Sequence, residues 1–218
     1  MKRSRGFTLA EVLVALALMA LLAMVSWRGV SSMAEAKQTA DARVEETLRL
    51  GTVMAQWEQD LQQLHDSALV PALSFDGATV RMVRRQPTGL QVVAWSLREA
   101  RWTRWTSPLA ASAQALQDAW LASQQLLGNE PGQLTLYQGL SGWQVYFYRN
   151  NAWTNAQSSG DLVTAPNPGT APAPPVVTGA PRTALPTGVR IVLTLQQPGD
   201  GEGGRTITRD LLVAPQLP

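Results

Sequence analysis

Gly6, Phe7 and Glu11 carry the clearest chemistry this sequence offers by residue type and spacing. They stand in the stretch Arg5-Gly6-Phe7-Thr8-Leu9-Ala10-Glu11, which runs into the apolar segment 12–25. A short leader, residues 1–6, carries Lys2, Arg3 and Arg5. In an ordinary secretory signal the small-residue cleavage site follows the apolar region; here the small residue, Gly6, precedes it. Cleavage between Gly6 and Phe7 would remove the leader's charges and keep the hydrophobic helix. Glu11 then lies one turn inside that helix. A carboxylate near the middle of a membrane helix costs about 2.5–3.5 kcal/mol on insertion scales, which makes an intramembrane Glu a functional candidate. In the membrane such a carboxylate would be protonated, reach the interface or pair with a positive charge.

Composition removes other chemistries. The chain has no cysteine, which excludes thiolate zinc and disulfides, and a single histidine, His65, which leaves little for a two-histidine metal site or a Ser-His-Asp triad. His65 is expected near the end of a helix, where a cation meets the C-terminal dipole favourably. Two carboxylates in Asp200-Gly201-Glu202-Gly203 are too few to specify calcium. No phosphate-binding glycine loop or nucleophile elbow is present. No catalytic residue, metal site or cofactor is therefore expected. The formal charge of +2 rests on the leader: without its three cations, fifteen basic face sixteen acidic residues. That balance gives no support to nucleic-acid binding. The arginines at 84–85 and 101–104 read as solvated strand edges.

The elements that position the N-terminal motif follow from periodicity. Residues 7–27 are interrupted only by Thr8, Glu11 and Ser26 among non-apolar types, enough for one membrane span. The leader's cations place the N-terminus in the cytoplasm and the rest beyond the membrane. The helix is expected to continue through residues 28–66. Leu50, Val53, Met54, Trp57, Leu61 and Leu64 recur at three-four spacing and form a stripe to be buried on a sheet. Pro71 is expected to mark the end of the helical region. Residues 67–218 then read as a β-rich domain. Strands are predicted at 79–84, 90–97, 101–105, 134–137, 143–148, 189–195 and 206–213, with a helix within 110–127 and a turn at 139–142. Trp143, Tyr146, Tyr148 and Trp153 suit either a core or the stacking of a sugar or peptide. Residues 158–186, rich in Pro, Ala, Gly and Thr, read as a variable surface loop. The fold class is α+β: a long N-terminal helix, membrane-spanning below and amphipathic above, on antiparallel β-structure.

The leader, Gly6-Phe7-Thr8-Leu9, Glu11 and the apolar run together resemble the type IV prepilin signal of pilins and pseudopilins. The resemblance implies a pilin-like fold, cleavage after Gly6 by a prepilin peptidase, N-methylation of Phe7, and an assembly role for Glu11. A narrower resemblance, to the J-type minor pseudopilins of type II secretion, rests on five short fragments in order. These are Trp27-Arg28-Gly29-Val30, Trp57-Glu58-Gln59-Asp60-Leu61, Trp105-Thr106-Ser107-Pro108, Gly142-Trp143 and Leu185-Pro186-Thr187-Gly188-Val189. It implies a non-enzymatic, single-pass inner-membrane subunit with a periplasmic domain. Its partners would be the I- and K-type minor pseudopilins and the major pseudopilin, in a pseudopilus tip that helps export folded proteins. Two alternatives remain: a minor pilin of a type IV pilus, and a membrane-anchored periplasmic enzyme or carbohydrate binder.

Overall fold

The computed structural model describes residues 8–157, 185–196 and 204–213. The chain divides into two compact units, Met1–Gly51 and Thr52–Pro218, and one helix, α1 (Leu9–Gln62), runs through the boundary. In the first unit α1 has little but solvent around it: nearly every described residue there is exposed. Its hydroxyls do not break it, because Ser32, Thr39 and Thr47 donate back to the carbonyls of Gly29, Glu35 and Arg43 at 3.0, 3.0 and 2.8 Å.

The second unit begins where the helix becomes one-sided. All six residues of the expected stripe are buried, none more than 7 % exposed. The helix stops at Gln62, nine residues before Pro71, so proline is not what ends it. The backbone is instead captured by strand β2 (Thr79–Gln86): His65 N–H donates to Val83 at 2.8 Å and Arg85 N–H to Gln63 at 2.8 Å. His65 consequently sits past the helix, next to Leu64, which bridges to Arg84.

The strands are antiparallel as expected, and they divide into two sheets. The first contains β1 (Leu73–Phe75), β2, β3 (Gly89–Arg98), β4 (Arg101–Thr106) and β5 (Gln133–Gln138), antiparallel and in chain order. The second contains β6 (Leu140–Arg149), β7 (Ala152–Asn155), β8 (Gly188–Leu195) and β9 (Arg205–Leu212), in the order β7-β6-β8-β9. The predicted strands and the helix α2 (Ala113–Ser123) are all present; β1 and β7, three and four residues long, were not anticipated. The turn expected at 139–142 reduces to Gly139. This residue has φ +91°, its amide and that of Leu140 donate to Ala100 O, and its carbonyl accepts from Gln196. Only glycine holds that φ without strain, and there the chain leaves one sheet for the other.

Each face of the first sheet has its own cover. Alternation puts Val80, Met82, Val93 and Trp95 towards α1, and Val83, Val92, Ala94 and Trp105 towards Leu116 and Trp120 of α2. Ser112 caps α2 by accepting from Ala115 N–H at 3.2 Å. Arg81 donates to the carbonyl of Ser123, the last residue of the helix, and Arg98 to that of Leu126 just past it. Trp57 is the hub on the α1 side. Its ring lies 5.4 Å from Trp95 edge-to-face, 6.0 Å from Trp102 and 6.2 Å from Trp143 of β6, so one indole touches both sheets. Truncation to alanine would remove apolar area and leave a cavity, together costing about 3–5 kcal/mol. Trp57→Ala is expected to lower the denaturant midpoint of unfolding accordingly; a loss under about 1 kcal/mol would refute the hub.

Ion pairs make stability acid-sensitive. Burial pushes the Asp76 carboxyl up, but the Arg81 guanidinium at 2.6 Å and the amides of Ala78 and Thr79 outweigh it and hold it below its ordinary value. The hydrogen bonds from Arg190 hold Asp210 down in the same way. A carboxyl depressed by folding stabilises fully above its unfolded pKa, about 3.9 for Asp. That contribution is lost as pH falls through the folded value. Melting temperature is expected to drop on acidification below about pH 4, and less steeply in Asp76→Asn; parallel pH curves would contradict this.

Candidate functional site

Thr8 and Glu11 close the N-terminus of α1 on itself. Thr8 N–H and Thr8 Oγ1 both donate to Glu11 Oε2 at 2.9 Å, and Glu11 N–H donates to Thr8 Oγ1 at 3.4 Å. This is a capping box: each residue's side chain satisfies the other's backbone amide. The signature Thr-x-x-Glu before an apolar run is legible in sequence, and the assembly reading of Glu11 passed over it. Glu11 is exposed in the first turn, and its Oε1 carries no hydrogen bond among the described residues. Among the described residues the carboxylate is thus held through one oxygen. Gly6 and Phe7, the expected cleavage and methylation positions, lie outside the described residues.

Above this cap α1 is apolar around its whole circumference. Leu9, Val12, Leu13, Val14, Leu16, Leu18, Met19, Leu21, Leu22, Met24 and Val25 are all exposed. A helix hydrophobic on every side needs lipid or other helices around it, and this one has the length and composition to cross a membrane.

The other candidates separate cleanly. Arg85 and Arg101 are exposed as expected, but Arg84 and Arg104 are not solvated edges. They turn inward to Asp60, because a fully buried carboxylate needs paired charge. Trp143 belongs to the indole cluster and meets Phe75 edge-to-face at 5.5 Å. Trp153 packs at 5.1 Å on Tyr148 and lies across Gly188, where a Cβ would come within 3.4 Å of its ring. Arg190 covers the Trp153 ring at 4.3 Å and is itself held by Asp210. With Arg190 stacked on it, that ring offers no bare platform to a sugar. Asp200 and Glu202 lie outside the described residues; among those described, no three His, Cys, Asp or Glu side chains gather as metal ligands.

Residues 1–27 match the family described as the prokaryotic N-terminal methylation motif. No curated protein matches the chain. The motif, the apolar helix it opens and the antiparallel sheets beyond it make this a pilin-like architecture, and the motif supports a protein of the pilin or pseudopilin type. Such a motif implies processing by a prepilin peptidase and assembly of the pilus kind.

The cap has a measurable consequence. An N-cap Thr replaced by Ala typically costs about 1 kcal/mol, a factor of roughly five in local opening. Thr8→Ala is expected to raise amide exchange in the first turn by that factor in detergent micelles, with the exchange of β8 unchanged. No change in the first turn would show that the cap does not form.

Proposed function

We propose that this chain is a minor pseudopilin of the J type, a non-enzymatic subunit of the type II secretion machinery. The observation that carries the reading is the methylation motif at residues 1–27 leading into one helix whose upper end packs on a two-sheet domain. In this reading a prepilin peptidase cuts between Gly6 and Phe7 and Phe7 is N-methylated. Residues 7–27 anchor the chain once in the inner membrane, and the domain lies in the periplasm. Glu11 receives the N-terminal ammonium of a neighbouring subunit. Its position favours this, since Thr8 fixes one carboxylate oxygen and leaves the other for a partner. In lipid, where apolar surface supplies no drive between helices, such polar contacts and close packing decide association.

The J-type assignment is supported by where four of its five fragments fall, the first, residues 27–30, being exposed on α1. Trp57, Asp60 and Leu61 are buried in the helix–sheet contact, Trp105 is in the α2 core, Trp143 bridges to the second sheet, and Gly188 lies beneath Trp153. Its partners would be the I- and K-type minor pseudopilins and the major pseudopilin, in a tip complex. A minor pilin of a type IV pilus shares the anchor and is separated by its partners.

Co-expression of the full chain with a prepilin peptidase and candidate I- and K-type subunits tests the reading. The mature chain is expected to begin at a methylated Phe7 by mass spectrometry and to co-purify with both subunits. Glu11→Gln should leave membrane insertion intact and reduce co-purification by roughly tenfold or more, as loss of a desolvated charge pair does. An uncut leader would overturn the anchor; capture of pilus minor pilins instead would overturn the machine.

A further inference from the structure

Asp60 is fully buried on α1, and its carboxylate is the most heavily engaged group in the described chain. Arg84 Nη1 of β2 donates to Oδ1 at 2.7 Å. Arg104 of β4 donates through Nε to Oδ2 at 2.7 Å and through Nη2 to Oδ1 at 2.9 Å. Trp95 Nε1 of β3 donates to Oδ2 at 2.8 Å, and Gln56, one turn back on α1, to Oδ1 at 3.2 Å. Three adjacent strands therefore grip one helical side chain. The arginines are themselves positioned: Gln91 Oε1 accepts from Arg84 Nε and Nη2, and Arg104 stacks 6.0 Å over the Trp95 ring.

The middle of the remaining contact is less selective. Val53, Met54, Trp57, Leu61 and Leu64 recur at three-four spacing. A slide of one turn, about 5.4 Å, keeps that middle apolar, since Leu50 reaches the place of Met54, Val53 that of Trp57 and Trp57 that of Leu61, while Arg49 reaches that of Val53 and Asp60 that of Leu64. Burial of apolar area is non-directional, so the middle of the stripe resists such a slide mainly through the size of Trp57. The charged network is not self-similar. After the same slide Gln56 would take the place of Asp60, and two guanidinium groups would face a neutral amide in a buried site. Unpaired buried charge is the costly arrangement, whereas a paired buried charge adds little net stability over an apolar replacement. One polar residue fixing the register of an otherwise apolar helix seam is a known use of such groups.

We propose that Asp60, with Arg84 and Arg104, is the register key of α1: it sets where along its axis the helix docks on the first sheet. It is a positioning residue. This inference does not depend on the proposed function, and its test reads the purified full chain in detergent.

The triple variant Asp60→Leu, Arg84→Met, Arg104→Leu replaces the network by apolar side chains. It is expected to unfold at or above the wild-type temperature while amide protection falls about tenfold or more at His65 and Arg85, whose backbone bonds to Val83 and Gln63 depend on the register. Protection in β8 should stay as in the wild type. Unchanged protection at His65 and Arg85 overturns the proposal, and so does an equal loss in both sheets, which marks a merely structural group. Should the triple variant fail to fold, Asp60→Asn, which keeps the shape and removes the charge, is read in the same way. Selective loss at those two amides supports the key, and unchanged or uniform protection overturns it.

Discussion

Both antiparallel sheets meet the single long helix at Trp57, and the rest of the domain is arranged around that junction. A sheet face left uncovered would expose Val145, Phe147, Val189, Ile191 and Leu193 on one side or Val80, Met82 and Val93 on the other. Trp57 resolves the problem by size. Its indole reaches Trp95 and Trp102 in the first sheet and Trp143 in the second, a span that a leucine lacks. The cost of such an apolar junction is looseness of register, and the buried carboxylate one turn further on supplies the direction that stacked rings do not.

The same helix is built for two different surroundings. Its lower part is apolar all round and its upper part only along one stripe, yet the backbone is identical in both, because an α-helix satisfies its own amides in lipid and in water alike. Only the ends need outside help, and they receive it differently. At Thr8 and Glu11 the help is local, from two side chains within one turn. At Gln62 it is long-range, from the β2 backbone. The N-terminal site is therefore formed by a few neighbouring residues, whereas the upper end exists only as part of the folded domain.

That contrast explains what sequence alone conveys. The helix, its buried stripe and seven strands follow from periodicities of 3.6 and 2, which are local properties. The prepilin-type motif is local too. The division into two sheets is not: it turns on Gly139, whose amide and carbonyl bond to Ala100 and Gln196, both distant in sequence. The inward turn of Arg84 and Arg104 was equally hidden. Alternating Arg-Trp-Thr-Arg-Trp reads as a strand with a solvated face until a carboxylate forty-four residues away is placed against it. The short strands β1 and β7 hold too few residues to show an alternation. The capping box is local as well: Thr8 and Glu11 stand at the Thr-x-x-Glu spacing that forms it.

The proline-rich insertion enters the domain at a place arranged to receive it. On one side Ala156 N–H is bonded to Val145 O, and on the other Thr187 N–H is bonded to Tyr148 O, so both ends are fastened to the same strand, β6. Among the described residues the sheet runs β7-β6-β8-β9 across those anchor points, and most of the expected loop, 158–184, lies outside them. Closing a longer flexible loop across a fixed gap is cheap in general, about 0.6 kcal/mol for each doubling of its length. The two fastenings on β6 thus hold the end of β7 and the start of β8 in a frame set by one strand, whatever the length of chain between them.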